Sequence, residues 1–230
     1  MLLLFAGWGI YFIYVLIRFN KKANPKADHE GSKSHMTSKL ELAVIVIELI
    51  LLFGFSIPFW AKQVNAFPDT DNAVEIKVVG EQFAWDFHHP GLDNKFGKTS
   101  LEFFDKQSNP LGLDPNDPNG KDDVVTINQT YIPIGRPVVF HITSKDVMHS
   151  FGVPHMRVKQ DAIPGMSIPV WFTPIKTGKF DIVCSQLCGI GHYKMNGFIN
   201  VKSEEDYQTW LSENSKAAGT EEEGYDSFWN

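Results

Sequence analysis

The sequence of 230 residues holds only two cysteines, has no excess of positive charge and contains no C-x-x-C-H run. Each absence excludes something. With 21 Lys+Arg against 27 Asp+Glu, the formal net charge is −6, so the chain lacks the broad positive field that holds nucleic acid. Without C-x-x-C-H there is no covalently attached c-type haem. Without a second cysteine pair there is no four-thiolate zinc site. No internal repeat occurs at any period, which excludes solenoids. The β-like runs lack intervening helical segments, which argues against βαβ units.

What is present is unevenly distributed. Hydrophobic residues make up 43% of the chain, and they concentrate in Met1–Ile17 and Leu40–Trp60. A membrane span needs about 20 residues. The second run qualifies, with Phe59 and Trp60 as interfacial aromatics and Lys62 beyond them. The first, MLLLFAGWGIYFIYVLI, is slightly short. No basic segment precedes it and no small-x-small site follows it, which argues against a cleaved signal peptide. Between the runs, Arg18, Lys21, Lys22, Lys26, Lys33 and Lys39 face only Asp28 and Glu30. So basic a short loop stays in the cytoplasm, and everything after residue 63 is expected outside it. That outer part has 14 Lys+Arg against 23 Asp+Glu, a net of −9, suited to a solvated surface or to a basic protein partner.

After a linker, QVNAFPDTDN, come short runs rich in Val, Ile and Phe: AVEIKVVG (73–80), QFAWDF (82–87), VVTIN (124–128), PVVFHITS (137–144), IPVWFT (168–173), FDIVC (180–184) and GFINVK (197–202). Gly, Pro and Asp separate most of them, as in an antiparallel sandwich or barrel. Residues 203–212 read as one short helix with Ser203 as N-cap. Residues 91–122 form a long Asp/Asn/Pro/Gly loop. Its hard oxygens at Asp114, Asn116, Asp117, Asp122 and Asp123 fit turn caps or, less commonly, a calcium site.

The chemistry concentrates in CSQLCGIGHYKM, Cys184 to Met195, with His149 upstream in TSKDVMHSF. Thiolate, imidazole and thioether form the soft donor set that copper prefers. A disulfide across four residues would constrain the unfolded chain little. Zinc sites rarely need the Met, and a mononuclear blue-copper site would leave one thiolate unused. Two thiolates, two imidazoles and a thioether suit two copper ions bridged by both sulfurs, a centre that moves electrons and does no bond chemistry.

The spacing C-x-x-x-C-G-x-x-H-x-x-M resembles the binuclear CuA motif of the cytochrome c oxidase subunit II family. DVMHSFGVPHMRVKQDAIPGM is similar to that family's D-V-x-H-S-(W/F)…D-A-I-P-G stretch. The resemblance implies an α+β membrane protein: a two-helix transmembrane hairpin over 1–63 (helices about 1–18 and 40–62, basic loop 19–39), a cupredoxin-like Greek-key β-barrel over 64–212 and an acidic tail over 213–230. It implies Cys184 and Cys188 as bridges, His149 and His192 each on one copper, and Met195 and the Gln186 carbonyl as weak ligands. Asp146 and Asp161 would orient the ligand loops; His88, His89 and His141 have no matching role and read as structural, and His155 as solvated or packed. Gln186 stands where the family usually has Glu, whose side chain helps bind magnesium at the subunit I boundary; a neutral amide is a poorer ligand for that hard cation. In GEQFAWDF, Phe83 stands where the family has a Trp that receives electrons, and Trp85 matches a second Trp. Glu41 resembles the family Glu at the mouth of a proton-uptake path, with Glu48 deeper in the same helix. The implied partners are oxidase subunit I and its neighbours, membrane lipid, and a cytochrome c or haem-bearing complex as separate donor. The implied location is the bacterial inner membrane, multi-pass, with the copper domain on the periplasmic side. The competing reading is a membrane-anchored copper chaperone of oxidase assembly, but Gly189 stands where such C-x-x-x-C-P proteins have Pro, and Met195 would then be unused.

Overall fold

A computed structural model describes residues 1–26, 30–31, 34–69 and 72–219. Asp28 and Lys33 of the basic loop, and the acids Glu221, Glu222 and Glu223 of the tail, lie outside the described residues. The chain divides into two units, Met1–Asn65 and Ala66–Asn230.

The first unit is helical. Helix α1 spans Leu2–Arg18. Helix α2 (Met36–Leu51) continues through a five-residue π segment, Leu52–Ser56, into α3 (Ile57–Asn65). Within it, Met36–Lys62 is the one stretch among the described residues long and apolar enough to cross a membrane; α1, with 17 residues, is shorter. Phe53, Phe59 and Trp60 stand exposed, as do nearly all the other large apolar side chains of both helices. Water would penalise that surface by about 25 cal/mol per Å², whereas acyl chains would not.

The second unit is a sandwich of two five-stranded sheets. The first has the order β3–β2–β1–β5–β8, with β1 Val74–Glu81, β2 Ala84–His89, β3 Val124–Ile127, β5 Val138–Ser144 and β8 Ile168–Phe172. The second has the order β4–β10–β9–β6–β7, with β4 Gln129–Pro133, β6 His149–Val153, β7 Val158–Ala162, β9 Gly178–Cys184 and β10 Asn196–Lys202. Pairing is not uniformly antiparallel as the run spacing suggests. The β1–β5 and β10–β4 pairs are parallel, because chain segments cross between the sheets before returning beside an earlier strand.

Alternation writes the core. Strand β1 buries Val74, Ile76 and Val78 and leaves the residues between them half-buried. Phe151 of β6 sits at the centre, with ring centroids 5.4 Å from Trp85, 5.6 Å from Phe140 and 6.3 Å from Phe87. Strand β2 breaks the alternation, since Trp85 to His89 are all buried. The reason is the loop between β2 and β3, which covers the outer face of this sheet. Phe96 packs on His88 at 5.0 Å and receives the Lys77 ammonium at 4.1 Å. The carboxylates of that loop are engaged by protein donors. Asp123 takes Gly97 N–H and His88, Asp122 takes the N–H groups of Leu92 and Asp93, and Asp117 takes those of Lys98 and Asn119.

Helix α4 runs Glu204–Gly219, seven residues beyond the expected end at 212. Ser203 caps it, its hydroxyl accepting from Asp206 N–H at 3.1 Å. Tyr207, Leu211 and Ser215 recur every four residues and are buried, so the buried face continues past 212 and carries the helix with it. Trp210 stacks on Tyr131 at 4.5 Å.

Candidate metal centre

The cysteines belong to one long hairpin loop. Strand β9 ends on Cys184, the chain loops through a short 3-10 turn at His192–Lys194, and β10 starts at Asn196, paired with Val183. Cys184 N–H donates to the Met195 carbonyl at 3.2 Å and closes the loop. Sheet register then brings in the upstream histidine, because Phe151 pairs with Cys184 and His149 lies two residues earlier on the same face.

Six donor atoms converge. The two cysteines are free, with sulfurs 3.8 Å apart. His149 Nδ1 lies 3.9 Å from Cys184 Sγ, and His192 Nδ1 lies 3.7 Å from Cys188 Sγ. Met195 Sδ is 3.8 Å from Cys188 Sγ, and the Gln186 carbonyl oxygen is 3.1 Å from Cys184 Sγ. His149, Cys184 and Cys188 alone form a buried group whose ligand atoms all lie within 4.8 Å of one another. The near-symmetric pairing of each thiol with one imidazole, joined through the two sulfurs, fits a soft metal pair better than a hard cation.

The surroundings aim these donors. Asp146 Oδ1 lies 2.9 Å from His149 Nε2 and directs Nδ1 at the thiols. Burial is the largest influence on Asp146 and pushes its pKa up, but hydrogen bonds from His149, Val147 and Gln82 hold it below the ordinary carboxylate value. Burial, followed by the hydrogen bond with Cys184, pushes the Cys188 thiol up to about 11. Asp161 accepts from Ser150 Oγ at 2.7 Å, and the Ser150 carbonyl accepts Ser185 N–H just after Cys184.

The other sequence candidates fall into two groups. Trp85 is fully buried, with its ring 6.0 Å from His149. Phe83 is half-buried and covers the cysteine loop, so that a Cβ on Gly191 would overlap its ring. Glu41 and Glu48 lie on α2, away from this constellation in sequence and in the other unit. His88 pairs with Asp123 at 2.5 Å, His89 with Thr130 at 3.1 Å, and His141 lies 3.4 Å from Glu75, all apart from the donors. His155 is exposed, its ring 5.8 Å from Phe180.

Two contributors escape sequence reading. Gly80 lies under the site, where a Cβ would stand 3.0 Å from His149 Cδ2. Gln82 donates its side-chain amide to the Cys188 carbonyl at 2.6 Å across a separation of 106 residues. The GEQ run next to the aromatic pair was the available signal, but nothing local ties it to the cysteines.

A β-sandwich with two thiols, two imidazoles and a thioether at one end belongs among the copper-binding, cupredoxin-like electron-transfer domains. More narrowly, residues 74–203 match the family described as cytochrome C oxidase subunit II, periplasmic domain, and the chain belongs to that family. The match places this domain on the extracytoplasmic side of a membrane anchor. The chain is 35% identical over 217 residues to a protein of Bradyrhizobium diazoefficiens named alternative cytochrome c oxidase subunit 2, covering 94% of this chain and 76% of that one. It is 35% identical over 207 residues to a probable cytochrome c oxidase subunit 2 of Rickettsia felis, covering 89% of this chain and 61% of that one. The crystal structure of the periplasmic domain of cytochrome oxidase subunit II from Bradyrhizobium japonicum aligns with 65% of this chain and 97% of its own, at 31% identity and a TM-score of 0.48. The family match and the curated relatives do not favour the copper-chaperone reading.

Proposed function

We propose that the chain takes electrons from a c-type cytochrome or a haem-bearing complex into a binuclear copper centre, and passes them to subunit I of an oxidase that reduces oxygen to water and pumps protons. The observation that carries this is the pairing of free Cys184 and Cys188, each with its own imidazole, at the closed end of one hairpin.

Cys184 and Cys188 would bridge the coppers, His149 and His192 would hold one each, and Met195 and the Gln186 carbonyl would complete the set. A copper pair held by these residues would supply a one-electron relay whose redox change is spread over many bonds. The protein's part is to keep that geometry fixed. Strand ends hold Cys184 and His149, Asp146 fixes the His149 tautomer, and the Phe83 ring shields the loop. Phe83 and Trp85 would form the uptake route for electrons; Trp85, being buried, would act only from inside, through its contact with the His149 ring.

The membrane part follows from the same reading. Residues 1–63 would be a two-span hairpin with loop 19–39 in the cytoplasm of a bacterial cell, residues 64–212 the copper domain and 213–230 an acidic tail. Glu41 and Glu48 would face subunit I, because an acid in a span seldom faces lipid, and Glu41 would open a proton-uptake path. A magnesium ion at Gln186 is not part of the proposal.

The test is single-turnover electron uptake. Copper-loaded full-length chain in detergent, mixed with a reduced c-type cytochrome, should oxidise the haem, while the metal-free chain leaves it reduced. A copper-loaded chain that takes no electrons would overturn the proposal.

A further inference from the structure

Gln82 occupies the turn between β1 and β2, in the sheet opposite the one that carries the cysteines. Its side-chain amide donates to the Cys188 carbonyl at 2.6 Å. Its backbone N–H donates to Asp146 Oδ2 at 2.7 Å, and the other oxygen of that carboxylate lies 2.9 Å from His149 Nε2. One residue therefore touches both arms of the donor set, the cysteine loop through its side chain and the histidine through Asp146. Phe83 beside it presses on the same loop, where a Cβ on Gly189 would approach its ring within 3.2 Å.

We propose that Gln82 is a positioning residue for the copper centre, a clasp between the sheets that fixes the Cys188 peptide plane and hence the direction of its sulfur. The assignment rests on the copper reading above. Cys188 lies in an eleven-residue excursion between strands, Ser185–Met195, where no ladder hydrogen bond holds its peptide. A donor on its carbonyl restricts rotation of that peptide, and the thiolate turns with the plane. The clasp is local to the loop. Gln82 itself is solvent-exposed, so removing its amide takes the partner from the Cys188 carbonyl and leaves the sandwich core untouched. Its effect belongs to the metal site and not to the fold.

The experiment compares full-length wild type, Gln82→Leu and Gln82→Lys in detergent, each loaded with copper. It reads copper release to a chelator, copper hyperfine structure by EPR, and thermal unfolding of the copper-free chain. Gln82→Leu is one atom shorter, similar in bulk, and carries no donor. It should release copper about tenfold faster, at the lower end for loss of a ligand-orienting partner, with altered hyperfine structure and an unchanged copper-free unfolding midpoint. Gln82→Lys keeps a donor on a longer stem and should stay close to wild type. Wild-type release and hyperfine structure in Gln82→Leu, or a Lys variant as impaired as the Leu variant, would overturn the assignment. So would a matching loss of copper-free stability, which would make Gln82 a fold residue. A wild type showing no two-copper signal would sink the copper reading itself, a separate failure.

Discussion

Replacing Asp146 by Asn should loosen copper without unfolding the domain, and its size can be worked from the contacts. Oδ1 lies 2.9 Å from His149 Nε2 and accepts from Val147 N–H at 2.6 Å; Oδ2 accepts from Gln82 N–H at 2.7 Å. All three partners are donors, with Nε2 protonated so that Nδ1 keeps its lone pair for metal. An amide offers one acceptor and one donor end. Whichever way Asn turns, its NH2 meets an N–H. Such a mismatch costs about 1–3 kcal/mol when buried. The Asp146 side chain is 34% exposed, so water relieves part of it, leaving about 1–2 kcal/mol. If the native centre alone needs this aim, that is about 5- to 30-fold in copper affinity, at 1.4 kcal/mol per factor of ten. Competition against a copper chelator on the full-length chain measures it. Affinity within twofold of wild type would refute the claim that the carboxylate aims His149.

Other expectations follow from neighbouring contacts. Gly80→Ala sets a Cβ 3.0 Å from His149 Cδ2 and 3.2 Å from Trp85 Cζ3, an overpacking of about 1 kcal/mol or more. Both the copper-free unfolding free energy and copper retention should fall, and a variant matching wild type in both would contradict the packing argument. His89 has its pKa pushed down to about 3, by burial first and then by His88. The stability it confers is full above its unfolded value and is lost as pH falls towards 3. Asp86 is raised to about 6, by burial first, with Lys145 pulling the other way; its contribution is full below its unfolded value and is lost as pH rises through 6. The two oppose each other between pH 6 and 4.5. His89→Gln should therefore gain on wild type across that window by about 2 kcal/mol, at 1.36 kcal/mol per pH unit. Denaturant unfolding at both pH values checks it, and parallel profiles would refute it. Glu41→Gln in the assembled oxidase should slow proton-coupled turnover; unchanged turnover and pumping would remove Glu41 from the uptake path.

The candidate donor set was legible because it is local. Cys184, Gln186, Cys188, His192 and Met195 lie within one hairpin loop, so their spacing survives as a motif. The strands were legible where side chains alternate, as in β1. Three strands escaped. Strand β4 directly follows β3, separated only by Asn128 at φ +56°, so no Gly or Pro marks the break. Strand β6, HSFGV, is buried throughout and shows no period of two. Strand β7, VKQDA, is mostly polar because it lies at the edge of its sheet. The burial of Asp86, His88 and His89 in β2 also gave no warning, since the loop that covers them comes afterwards in sequence. Contacts such as Gln82 to Cys188 depend on how the two sheets face each other, and a linear pattern does not encode that.

The central claim is a pair of coppers sharing one electron through Cys184 and Cys188. EPR of the full-length chain, loaded with copper and partly oxidised, tests it most directly. Two coppers per chain are expected, with hyperfine structure from one unpaired electron divided equally between two copper nuclei, lost in Cys188→Ser. Hyperfine structure from a single copper, or thiols that oxidise to a disulfide and take up no metal, would contradict it.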